Sequence, residues 1–418
     1  MTLSRGVVVM CAAQACAQIG AFSVAAVLPA LISVWALTNT EAGWISGIYY
    51  AAYTLTVPLL SSLTDRIDPK RVYLASAALT AVAFAGFAWV ASGFWSALAF
   101  RALMGAGWAG SYMPGLKALS DLAEGQQQSR AVAAHAAAVG VSGALSFGVA
   151  GAVNAWLGWH WALVPGAAGA TLAFVLVLFG LPSRPVSTAA GPRRALLDFR
   201  PILRNRSALA YSIAYCVHTW EMSALRGWVV TFLTFVAAQT TGAWKPLAPA
   251  TVASVMGLVG VWASVWGNEL AIRFGRRRFI LATMLTSAAL AAVIGFGAAL
   301  PYAGAAGLVL VYAMLIWSDS SSLTAGSAGS AQPGQRGATL AVHSTLGYAG
   351  GFLGPLALGA TLDLLGGVSV IGWGVAFGHV TVALLLGALA FVWLRPADLA
   401  GDRAVSASTA PAAPLHRT

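Results

Sequence analysis

Acidic side chains are scarce in this sequence: 12 Asp and Glu stand among 418 residues, and charged residues of both signs make up only 8%. A soluble globular domain carries about a quarter, so a water-facing surface over one or two domains of this length is excluded. Cysteine is nearly absent too. Cys11, Cys16 and Cys216 all fall in apolar runs, which excludes a disulfide framework, and no Cys/His spacing suits zinc. No metal site and no cofactor are therefore expected. A Gly-rich phosphate loop, a nucleophile constellation and a soluble nucleotide domain are also lacking, which argues against an enzyme or an ATP-driven pump. Polar residues do not alternate with apolar ones, so a membrane β-barrel is not expected; in lipid the remaining way to satisfy the backbone is the helix.

What the chain has is apolar length. Hydrophobic residues make up 59% and the mean hydropathy is +0.79. Runs of roughly 20 apolar residues, the length of a membrane crossing, recur at Val7–Leu31, Glu41–Leu63, Val72–Ala91, Trp95–Leu119, Arg130–Leu157, His160–Leu181, Ser207–Val236, Ala250–Gly267, Phe279–Leu300, Ala303–Thr324, Ala338–Leu364 and Ile371–Leu394. The expectation is an all-α polytopic membrane protein of about twelve spans. Its halves are 1–181 and 207–395, joined by a basic linker over 182–206 and followed by a disordered tail over 396–418. The first run is too long for a signal-peptide core and lacks a clear cleavage site, so it is read as a span.

The formal net charge of +11 lies in short clusters between the runs. That pattern excludes nucleic acid as a partner, because phosphate binding needs a continuous basic surface. The clusters instead orient the chain. With both termini cytoplasmic, nearly every loop Lys and Arg falls inside and only Lys245 outside. The expected location is the bacterial cytoplasmic (inner) membrane, with the lipid bilayer as solvent and the protein acting as a monomer.

The halves repeat. A shift of about 208 residues places His135 on His343, Gly143 on Gly351, Gly151 on Gly359 and Gly158 on Gly366. Nearly the same shift lays LTDRIDPKR, starting at Leu63, over LAIRFGRRR, starting at Leu270. Parallel six-helix repeats of this kind are a transporter architecture.

These loops resemble that of the major facilitator superfamily, whose pattern runs roughly G-x-L-x-D-R-x-G-R-R. Leu63, Asp65 and Arg66 match it, Ser61 replaces the first glycine, and Asp68-Pro69 alters the middle. The second copy keeps Arg273, Gly275, Arg276 and Arg277, with Ile272 in place of the acid. The resemblance implies a gating loop in which Asp65 meets a helix N-terminus across the interface between halves, while Lys70 or Arg71 faces Asp121. Arg101, Gly105 and Gly107 in the fourth span resemble the family's R-x-x-x-G-x-G pattern. In the eleventh, Gly350, Gly351 and Gly354 allow close helix approach and Pro355 bends the helix.

Ionisable residues inside spans cost at least about 3 kcal/mol at the bilayer centre and so mark candidate function. The seventh span carries His218, Glu221 and Arg226, the fourth Arg101 and the tenth Asp319. At about 100° per residue, His218 and Arg226 lie about 80° apart, with Glu221 about 60° to the other side of His218. One polar stripe is thus expected to face a central cavity, which the resemblance lines with helices 1, 4, 7 and 10. Glu221 is the candidate proton site and His218 its relay. Arg101 or Arg226 would hold an anionic substrate group or pair with Glu221. His135 and His343, near the starts of their spans, are read as structural. The expected function is secondary active transport of a small organic solute by alternating access, coupled to protons, with export favoured over import. The alternatives are a symporter or facilitator of a small anion and, in another class, a non-transporting membrane sensor.

Overall fold

A computed structural model of the chain describes residues 4–64, 66–120, 122, 125–183, 200–240, 247–332, 335–399 and 402. Among the described residues there are helices and no strand, and twelve long rods in chain order: α1 Arg5–Trp35, α2 Asn39–Leu63, α3 Pro69–Trp89, α4 Phe94–Ser120, α5 Gly125–Leu157, α6 Trp159–Gly180, α7 Arg206–Gln239, α8 Pro249–Phe274, α9 Arg276–Ile294, α10 Tyr302–Gly329, α11 Arg336–Leu364 and α12 Val370–Leu394. The expected spans match these rods, although α8 runs on to Phe274 and α10 to Gly329. Nine of the rods are both long and apolar enough to cross a membrane. The others, α2, α4 and α11, are 25, 27 and 29 residues long, so at 1.5 Å per residue each exceeds the ~30 Å hydrocarbon thickness. Their hydropathy is lower because they carry the Gly, Ser, Thr and Tyr residues through which helices meet at the centre of the bundle.

Local chemistry sets the helix ends. Thr38 and Glu41 form a reciprocal capping box that starts α2, which satisfies two of the backbone donors a helix start leaves free. Asp68 accepts from the Lys70 N–H at 2.9 Å, and Pro69 at the first position fixes the entry to α3. The Asp68-Pro69 pair that departs from the family loop is therefore a helix start. Gly158 and Gly366, aligned by the repeat, end α5 and α11 with φ of 86° and 82°, a left-handed turn that glycine adopts without a Cβ clash.

Within the bundle α11 packs against both α2 and α7, α2 also packs against α4, and α5 packs against α8. These seams are built from small residues that let backbones approach. A Cβ on Gly350 would lie 2.0 Å from the Cys216 carbonyl oxygen and one on Gly354 2.2 Å from that of Trp220, while Gly351 faces the Tyr50 ring. On α4, Gly105 abuts the Tyr49 carbonyl and Gly107 the Thr80 hydroxyl. The α5–α8 seam adds a polar clasp: the Gly148 N–H donates to Ser254 Oγ at 2.7 Å, and that hydroxyl donates to the Ala144 carbonyl at 2.8 Å. Pro355 sits inside α11, and its carbonyl accepts from Trp228 Nε1 at 2.9 Å.

The segment after α12, expected to be disordered, is packed where it is described. Arg395 turns left-handed at φ 50°, and the Ala397 carbonyl accepts from the Tyr211 hydroxyl at 2.9 Å. Asp402 forms a buried pair with Arg276, 3.2 Å between Nη2 and Oδ1. Two acids in an Ala- and Pro-rich stretch meet the basic α8–α9 turn, and opposite charge in a dry setting outweighs the low apolar content of the segment.

Overpacking a tight helix contact costs about 1–3 kcal/mol. Gly354→Val should therefore lower the thermal stability of the purified protein in detergent by several degrees, read by tryptophan fluorescence. Gly307, with open space at its Cβ position, should accept Ala without loss.

Candidate functional site

The central feature begins with a break in α1. Its two helical segments, Arg5–Gln18 and Ser23–Trp35, are separated by a turn at Ile19–Phe22, so some backbone groups there lack a partner within the helix. Neighbours take them up. The Phe22 N–H donates to Ser146 Oγ of α5 at 3.1 Å, and Arg101 Nη2 of α4 donates to the Ala21 carbonyl at 3.2 Å. Arg101 is 3% exposed and its guanidinium lies 4.1 Å from the Tyr49 ring centroid. Arg226 of α7 comes in from the other half, sandwiched between Phe22 at 4.8 Å and Trp317 at 4.7 Å. Both arginines line one cavity of about 10 Å³, with Phe22, Ser46, Tyr50 and Ser223 around it. That is room for little more than a single water. Desolvated cation–π contacts of this type contribute about 2 kcal/mol each. Among the described residues neither arginine has a carboxylate within ion-pair distance.

Arg226 therefore points into the interface between halves and does not extend along α7 to the membrane surface. The single stripe expected on α7 divides. At about 100° per residue Glu221 stands about 140° from Arg226, and it turns into the interior of α7–α12. There Glu221, 3% exposed, lies against Tyr312 and Ser287 with Asp319 nearby. Asp319 sits where α10 breaks, between helical segments Tyr302–Ser318 and Ser320–Gly329. Its Oδ1 lies 3.0 Å from His218 Nδ1. Tyr215 stacks on His343 at 4.0 Å and on His218 at 5.7 Å. The structure thus brings Glu221, His218 and Asp319 together and separates them from Arg101 and Arg226.

Of the gating-loop residues, Asp65 and Asp121 lie outside the described residues. Lys70 donates through Nζ to the Leu178 and Leu181 carbonyls at 2.9 and 2.5 Å. It caps the end of α6, where a cation meets the negative pole of the helix. Arg66 and Arg71 are exposed. In the second copy Arg273 pairs with Glu269 on its own helix at 3.2 Å. Arg276 bonds Asn268, Ser322 and Asp402, and the Arg277 N–H donates to Asp398 at 2.7 Å. These contacts stay within one half.

Besides the Ser254 clasp, a polar contact across the halves lies at the opposite end, on a residue the sequence did not single out. Asp363, at the end of α11, accepts four hydrogen bonds from the start of α2. They come from the Asn39 N–H at 3.0 Å, Asn39 Nδ2 at 2.8 Å, the Thr40 N–H at 2.7 Å and Thr40 Oγ1 at 2.6 Å. A carboxylate on the positive end of a helix is favoured. The capping box at Thr38 marks that end in the sequence, but its partner is 324 residues away.

A multi-pass membrane protein with two aligned halves and charged groups at the seam between them has the form of a transporter. The model of the Major Facilitator Superfamily matches residues 10–355, and the chain belongs to that family. Protein spinster homolog 1 of Homo sapiens is 25% identical over 274 residues, covering 61% of this chain and 51% of its own length. The niacin transporter NiaP of Acinetobacter baylyi is 26% identical over 154 residues, covering 37% and 35%. The chain spans about half the length of the spinster proteins it matches. Among solved structures, a bacterial homologue of the human lysosomal transporter spinster in an inward-facing, unoccupied conformation superposes with a TM-score of 0.75 at 15% identity, covering 93% of this chain and 96% of its own. The nucleoside transporter NupG gives 0.74 at 14% identity, covering 94% and 99%. At such identities the likeness concerns the fold.

Removing one member of a buried ion pair strands the other, at about 3–5 kcal/mol. Arg276→Ala should therefore lower the melting temperature strongly, and adding Asp402→Ala should recover part of the loss. Equal, additive losses would show that the pair contributes nothing.

Proposed function

We propose that this protein is a secondary transporter that moves a small organic solute by alternating access and couples the movement to protons. The observation that carries this reading is the seam between α1–α6 and α7–α12. It holds a small cavity at its centre, backbone-close glycine contacts along α2 and α11, and a polar latch, Asp363 on the start of α2, at the end away from the basic turns. A cap of this kind contributes about 1 kcal/mol, enough to favour a closed end and little enough to be released in each cycle. The basic turns support a reading in which the other end faces the cytoplasm, across a bacterial inner membrane. The names of the relatives, a niacin transporter and a nucleoside transporter among them, are consistent with a small organic cargo.

Proton coupling rests on Glu221, His218 and Asp319. All three are ionisable side chains buried in the interior of α7–α12, where burying charge is costly. The cluster lies on α7 and α10, and α7 also carries Arg226 into the cavity. Protonation there is placed to change how α10 packs on α7 and, through α7, how the cavity opens.

The test is proton movement in energised everted vesicles, followed with a pH-sensitive dye while pooled metabolites and drugs are added. Wild type should give a compound-dependent proton signal, and Glu221→Gln should abolish it while leaving uncoupled exchange of the same compound intact. A signal unchanged in Glu221→Gln would remove the proton-site assignment. Asp363→Ala should make a cysteine introduced at Ser46 react several-fold faster with a membrane-impermeant thiol reagent added from the side of the latch, in a background lacking Cys11, Cys16 and Cys216.

A further inference from the structure

The central cavity is short of an anion. Three buried polar atoms around it have no hydrogen-bond partner: Arg101 Nε, Ser46 Oγ and Ser223 Oγ. Buried polar groups in native proteins are nearly always partnered, so a cluster of orphans facing one space calls for a ligand. Two guanidinium groups line the same space, one from each half, and among the described residues no carboxylate answers either. The carboxylates of α7 and α10 do not line this space: Asp319 lies 3.0 Å from His218, and Glu221 is not among the residues around the cavity. A cationic solute would meet uncompensated repulsion here, and a neutral one would leave both charges unanswered.

We propose that Arg101 and Arg226 together bind the oxyanion head, carboxylate or phosphate, of an amphipathic organic anion. This deepens the transporter reading above and rests on it. Guanidinium groups match such heads because their N–H donors are fixed in a planar fork. Ser46 and Ser223 supply hydroxyl donors from α2 and α7. The body of the ligand lies against the Phe22 and Tyr50 rings, which line the cavity. In the present conformation the space is too small for a whole solute, so the head occupies the centre and the body requires the seam to open. Because the arginines come from opposite halves, the anion draws the halves together around itself. Binding and closure are then one event, as alternating access requires.

The test uses purified wild-type protein in detergent with benzoate and phenylphosphate as anionic probes and benzyltrimethylammonium as the cationic control. Binding is read by thermal shift and by tryptophan quenching. One or both anions should stabilise the wild type in a saturable way, and the cation should not; which anion binds more tightly identifies the head group. Arg226→Gln should weaken anion binding at least about tenfold, and Arg226→Lys, which keeps the charge, should weaken it less. Ser223→Ala guards against misfolding in the arginine variants: it removes one donor, keeps the fold and should weaken binding a few-fold. Equal anion binding in wild type and Arg226→Gln, or stronger binding of the cation, overturns the proposal. If the vesicle assay shows proton-linked flux of cations or neutral solutes while the anions do not bind, the anion site falls and the transporter reading stands. Absence of both flux and binding in folded protein removes both.

Discussion

The arrangement of this protein depends on the cost of desolvating charge. In a chain with 8% charged residues, each ionisable group inside the bundle must find a partner or be placed where one arrives. Arg276 finds Asp402, His218 finds Asp319, and Asp363 finds the start of α2. Arg101 and Arg226 find aromatic rings and a carbonyl, which soften the burial of a cation without neutralising it. Structural charges are thus paired within a half or latched across the halves, while the two arginines without a carboxylate line one cavity at the seam.

The seam has to hold and also to part. Gly350 and Gly354 against carbonyls of α7 give the tight, directionless packing that small residues allow between membrane helices, and they bind α11 to α7 within one half. Between the halves the same close packing recurs, with Gly43 and Gly47 of α2 against the Pro355 and Phe352 carbonyls of α11, and hydrogen bonds are added to it. The Ser254 clasp between α8 and α5 and the Asp363 latch between α11 and α2 are hydrogen bonds that water can replace once an end opens.

Much of the fold was legible in the sequence because lipid makes the rules simple: a span must be apolar, helical and about 20 residues long. The repeat was legible as well. Gly158 and Gly366, aligned by shifting the chain, prove to share a left-handed turn at equivalent helix ends. Side-chain destinations were less so. Helical spacing gave the angle between Glu221 and Arg226 but not which neighbour each would meet, since this depends on the break in α10 at Asp319. The partners of Asp363 and Arg276 are 324 and 126 residues away. No local pattern encodes such distances. The packed segment around Asp402 was missed because composition reports the average of a tail and not its two acids.

The most direct test of the account is whether the two ends of the seam move in opposite senses. Spin labels at Trp156 and Leu364, 89% and 86% exposed, report the separation of the halves at the latch end, and labels at Arg66 and Gly337 report the basic end. Distances measured by pulsed electron resonance in proteoliposomes, with and without a proton gradient, should show two exchanging populations. In them one distance lengthens as the other shortens. A single population at both ends under all conditions, or both distances changing together, would contradict alternating access about this seam.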